Sequence, residues 1–77
     1  MGLDIAEIIL DIEDKYEISL PDSMHNDVTT VESLCRCVAR IHGNKKDLEL
    51  YKDEIIDLIS DRLNKKINAS DDFWKLE

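Results

Sequence analysis

Apolar residues return every three or four positions from Leu3 to Tyr16. Ile5, Ile8, Ile9, Ile12 and Tyr16 fall on one side of a helical projection, while Asp4, Glu7, Asp11 and Asp14 fall on another. The spacing predicts an amphipathic helix over 3–16. From Glu17 to Val28 the period is lost. This stretch holds the single proline, Pro21, and the polar run Asp22 to Asp27, and reads as a structured loop anchored by Ile18 and Leu20, with at most one short helical turn. A second helix is predicted from Thr30 to His42, with Val31, Leu34, Cys35, Val38 and Ile41 as its apolar stripe and Arg36 and Arg40 facing away. Thr29 and Glu32 have the spacing of a capping box at its start, and Gly43 supplies a left-handed stop at its end. After a polar connector over 44–47, a third and longer helix is predicted over 48–66. It carries Tyr51, Ile55, Leu58, Ile59 and Arg62 to Leu63, and Lys65 and Lys66 complement the negative end of its dipole. The stretch from Asn68 to Glu77 is polar except for Phe73, Trp74 and Leu76, and reads as a loop or one turn held by its aromatics. No two-residue alternation occurs anywhere. The expected fold is a single all-α domain over 1–77, a four-helix bundle of three main helices and a short one.

Length and charge narrow the chemistry. A chain of 77 residues supports one small core, and 43% apolar with 36% charged residues is a composition that folds. Ten basic against eighteen acidic side chains leave a formal net charge of −8, which a nucleic-acid backbone would repel; a basic surface is the expected partner. No apolar run approaches the roughly 18 residues of a membrane span, and the first residues do not resemble a signal peptide, so a cytoplasmic monomer is expected. Cys35 and Cys37 stand too close to staple a fold and fit neither a redox nor a zinc motif; Cys35 is expected in the core and Cys37 half exposed, both reduced. His25 and His42 have no second ligand at metal spacing, and are expected at the surface or at a helix end. The chain shows no glycine-rich phosphate loop, no catalytic carboxylate pair and no Ser/His/Asp set, and is read as a non-enzyme.

The stretch Leu3-Asp4-Ile5-Ala6-Glu7-Ile8-Ile9-Leu10-Asp11-Ile12-Glu13-Asp14-Lys15-Tyr16-Glu17-Ile18-Ser19-Leu20-Pro21-Asp22 resembles the second helix and following loop of acyl carrier proteins. The likeness continues through Val28-Thr29-Thr30-Val31, which is similar to the start of that family's last helix. What precedes this region in the family is found after it here. Asp53 to Leu63 looks like the family's first helix, and Asn68 to Leu76, with its Phe73-Trp74-Lys75-Leu76, looks like the loop that leads into the attachment site. Read from tail to head, Phe73 to Glu77 joins Met1 to Asp4 one residue short of the family motif, so the chain resembles a circular permutant. Such rearrangement suits a small bundle, whose termini lie at the surface.

The resemblance implies a carrier-type fold and recognition through an acidic helix. It also implies a serine to which 4′-phosphopantetheine is joined, but Gly2 stands at that position, so no cofactor is expected on this chain. Ser33, in Glu32-Ser33-Leu34, echoes the attachment motif but falls inside the second helix. Asp4, Glu7, Asp11 and Asp14 are the expected contacts for basic surfaces of acyl-transfer or synthase enzymes in fatty-acid or polyketide-type metabolism. The residues equally admit a plain solvated face on a structural or protein-interaction domain without carrier chemistry, or a segment of a longer carrier protein. With only Lys15 near these like charges, reversing one of them is expected to leave the melting temperature unchanged or slightly raised.

Overall fold

A computed structural model describes residues 3–76, with side chains from residue 4 onward. Its elements are α1 (Leu3–Tyr16), α2 (Met24–Asp27), α3 (Val31–Ile41), α4 (Leu48–Leu63) and a 3₁₀ turn (Phe73–Lys75). Among the described residues there is no strand, only an isolated antiparallel bridge between Thr30 and Asp72. The all-α expectation holds at that level. No described helix is long and apolar enough to cross a membrane.

The stripes read from the sequence are the ones that meet. α4 packs against both α3 and α1, and α2 lies on α3. Ile5, Ile8 and Ile12 of α1, Val31, Leu34, Cys35 and Val38 of α3, and Tyr51, Ile55 and Ile59 of α4 have no exposed surface. Phe73 closes one side and Met24 and Val28 another, while Ile18 and Leu20 are partly buried against the same core. Ile67, which no helical period marked, is buried as well. Cys37 is buried rather than half exposed: α2 also packs on α3, and Cys37 lines a recess with Asp27 of α2, so the covered face of α3 is wider than one stripe.

The start of α3 corrects the predicted cap. Thr30, one position later than expected, is the N-cap, and Ser33 rather than Glu32 completes the box: Ser33 N–H donates to Thr30 Oγ1 at 3.1 Å and Thr30 N–H to Ser33 Oγ at 2.9 Å. Glu32 instead pairs outward with Arg36 at 3.2 Å and with Lys52 of α4 at 3.5 Å. The next donors are met by the tail. Val31 N–H donates to Asp71 O at 2.9 Å and Glu32 N–H to Ala69 O at 2.8 Å. The four N–H groups that a helix start cannot satisfy within itself, those of residues 30–33, all have partners. Phe73 N–H to Thr29 O and Trp74 Nε1–H to Val28 O, at 2.9 and 2.7 Å, extend the same seam and hold the 3₁₀ turn against the bundle.

Three helices stop alike. Glu17, Gly43 and Asn64 are left-handed (φ +54°, +86° and +54°), and each is followed by an amide that reaches back five residues: Ile18 to Glu13 O, Asn44 to Ala39 O and Lys65 to Ser60 O. Gly43 was expected; α4 ends at Leu63, three residues before the predicted Lys66, with Asn64 as its left-handed cap. Glu17 is the costly one, because a side chain with a β-carbon is crowded in this conformation by about 1 kcal/mol. Glu17→Gly is expected to raise stability by about 0.5–1 kcal/mol, a few degrees in melting temperature for a domain of this size, measured by thermal unfolding.

Candidate docking surface

With Ile5, Ile8, Ile12 and Tyr16 turned inward, α1 presents Asp4, Glu7 and Asp14 to solvent, with Asp11 partly covered. At 3.6 residues per turn Leu10 falls on the same outer face, about 60° from Glu7 and 40° from Asp14. It is 59% exposed, the more open of the two large apolar residues that face solvent among the described ones; the other, Leu50 on α4, is 49% exposed. The sequence reading passed over Leu10. Its signal was available, as a leucine lying off the apolar stripe of an otherwise regular amphipathic helix.

The four acidic residues are not equivalent. Arg62 reaches across from α4 and donates from Nη1 to Glu7 Oε2 at 2.6 Å and from Nε to Asp11 Oδ2 at 2.8 Å, with Nη2 on the same Asp11 oxygen. These carboxylates, Asp11 first, hold the guanidinium more firmly in its charged form. Repulsion along α1 is thus relieved by α4 and not by Lys15 alone. Asp14 makes no ion pair among the described residues, and Asp4 acts on Arg62 only through its field. Asp11, Leu58, Asp61 and Arg62 line a shallow groove between the two helices.

The other candidate residues that are described are committed to structure. Gly2, the position of the family's attachment serine, lies outside the described residues. Ser33 spends its hydroxyl in the α3 cap, donating to Thr30 O at 2.7 Å and accepting from the amides of Thr29 and Thr30. His25 stacks on Trp74 with ring centroids 4.6 Å apart, and His42 lies 2.6 Å from Tyr51 Oη. Burial pushes the Cys35 thiol up to about 12, far from the thiolate a nucleophile needs. Among the described residues no three His, Cys, Asp or Glu side chains are placed to hold a metal ion.

No family model, curated protein or solved structure matches this chain, so its likeness to acyl carrier proteins rests on its residues.

Because Glu7 is tied to Arg62 and Asp14 is not, their reversals separate. Glu7→Lys sets two cations together and is expected to lower the melting temperature by a few degrees, opposite to the expectation from like-charge repulsion alone. Asp14→Lys is expected to leave it within about a degree. Thermal unfolding of both variants at low and high salt checks the pair.

Proposed function

We propose that the chain is a non-enzymatic docking module of the acyl-carrier type, bound through the outer face of α1 by basic surfaces of acyl-transfer or synthase enzymes. The observation that carries this is Leu10, 59% exposed on a helix face that also bears Glu7 and Asp14. An apolar side chain set among carboxylates suits a partner that pairs a small apolar recess with surrounding arginines or lysines. Burying the leucine gives affinity, and the charges steer and orient the approach.

The permuted order is part of the same proposal. In this reading α4 takes the place of the family's first helix, and its packing against both α1 and α3 is what that role requires. The tail from Asn68 to Leu76 then takes the place of the loop before the attachment site. Gly2 has no hydroxyl, so the family's phosphodiester has no acceptor oxygen there; the module docks without an arm of its own, as a monomer in the cytoplasm, and does not bind nucleic acid.

Binding to acyltransferases and ketosynthases that act on carrier proteins tests the reading, followed by fluorescence anisotropy at several salt concentrations. Leu10→Ser and Asp14→Lys are each expected to weaken binding at least about fivefold, and added salt to weaken the wild type; Asp53→Lys, on α4, is expected to change little. Binding that ignores Leu10→Ser, Asp14→Lys and salt alike would reduce the face to a solvated one. The order itself is tested by spin labels on Asp4→Cys and Lys75→Cys, for which a Cα separation within about 15 Å, a few extended residues, is expected.

A further inference from the structure

Tyr51 has no exposed surface, so its phenol oxygen must find its partners inside the protein. Two groups are within reach. The backbone N–H of Lys45 donates to Oη at 3.1 Å, and Nδ1 of His42 lies 2.6 Å away. An amide N–H only donates, and a phenol has one proton to give. The arrangement that satisfies all three groups has Tyr51 accepting from Lys45 and donating to His42 Nδ1, which requires the His42 tautomer that carries its proton on Nε2. The two bonds tie the end of α3, the connector and the start of α4 to one oxygen. The connector needs holding, since Gly43 and Asn44 follow one another in the left-handed region at φ +86° and +52°.

We propose that His42 is an acid-sensitive latch on the α3–α4 turn: a proton on Nδ1 removes the acceptor for the Tyr51 hydroxyl and releases Lys45 and the connector. With Nδ1–H and Lys45 N–H both pointing at Oη, the phenol proton is left buried without an acceptor, and one of the two donors has to withdraw. Lys45 is the one free to move, because it belongs to an exposed loop while the His42 ring is packed edge-on against the rings of Tyr16 and Tyr51, at centroid distances of 5.2 and 5.7 Å.

The surrounding groups leave this response to His42. From α1, the Tyr16 ring meets His42 edge-on at 5.2 Å and its hydroxyl donates to Glu54 Oε1 at 2.8 Å, with Lys15 Nζ 5.8 Å from the same ring. From the connector, Lys46 Nζ lies over the rings of Tyr16 and Tyr51 and pairs with Glu54 of α4 at 3.0 Å. On α3 itself, Arg40 turns towards Cys37 Sγ, 4.0 Å away. Lys46 first, and then the Tyr16 hydroxyl, hold Glu54 below the ordinary carboxylate value, so it stays ionised across the interval between pH 5 and 8 in which histidine ordinarily titrates.

Amide hydrogen exchange on the full chain, corrected for the intrinsic pH dependence of exchange, reads the latch directly. Between pH 7.5 and 5.5, protection of the Lys45 amide is expected to fall at least fivefold while the Ile8 and Ile12 amides change less than twofold. In His42→Gln, whose amide oxygen accepts a hydrogen bond without titrating, Lys45 is expected to show no such fall. Nitrogen shifts of the His42 ring at pH 7.5 are expected to place its proton on Nε2. A flat Lys45 profile, an equal fall in His42→Gln, a fall shared by Ile8 and Ile12, or a proton on Nδ1 at pH 7.5 would each overturn the proposal.

Discussion

The interior seam of α4 is the constraint on which the rest of the molecule depends. Tyr51, Ile55 and Ile59 recur at four-residue spacing and have no exposed surface, so one line of α4 is the wall against which both other long helices pack. Full burial of an aliphatic or aromatic side chain contributes about 1.5–3 kcal/mol, whereas exposed ion pairs contribute little. Where α4 sits is therefore decided by this seam, and the surface charges follow. Arg62 lies one turn from the seam's last residue, on the flank that α1 occupies, which is why it meets Glu7 and Asp11.

Around that wall, unpaired backbone groups decide the smaller elements. α3 begins with donors that no helix can satisfy internally, and the segment after α4 supplies carbonyls at Ala69 and Asp71 to two of them. The tail is thereby more than an appendage: it caps α3, seats Phe73 in the core and leaves Trp74 stacked on His25. At the opposite end of α3, the Tyr51 oxygen takes the same role for the connector. Both ends of α3 are thus secured from outside the helix, while the outer face of α1 is covered by no other element among the described residues and carries the exposed Leu10.

The helices could be read from the chain because their burial is one-sided, and one-sided burial leaves a period. α1 is the clearest case: its predicted range holds, Ile5, Ile8 and Ile12 are buried as the spacing put them with Ile9 partly so, and Asp4, Glu7 and Asp14 face outward. Reading was weaker where several residues could serve. Thr29 and Thr30, with Glu32 and Ser33 three residues on, offer two overlapping caps, and the choice fell to Thr30 because the tail's carbonyls fix which amides come next. Glu17 stops its helix without glycine, so there the left-handed residue is selected by the packing that follows and not by its own preference, whereas Asn64 is a residue type that takes this conformation readily and whose signal the sequence did carry. The Arg62 bridge and the burial of Cys37 depend on which helices are neighbours, and no local pattern encodes that. For the site, the acidic stripe was visible, but its division into tied and untied carboxylates, and the place of Leu10 among them, needed the third dimension.

If the α4 seam holds the molecule together, α1, α3 and α4 cannot come apart one at a time. Native-state hydrogen exchange as a function of denaturant measures this most directly. The account predicts that the slowest amides of all three helices, around Ile8, Val38 and Ile55, converge on one opening free energy equal to that of global unfolding. Loss of protection in α4 at a markedly lower free energy, with α1 and α3 still closed, would contradict it.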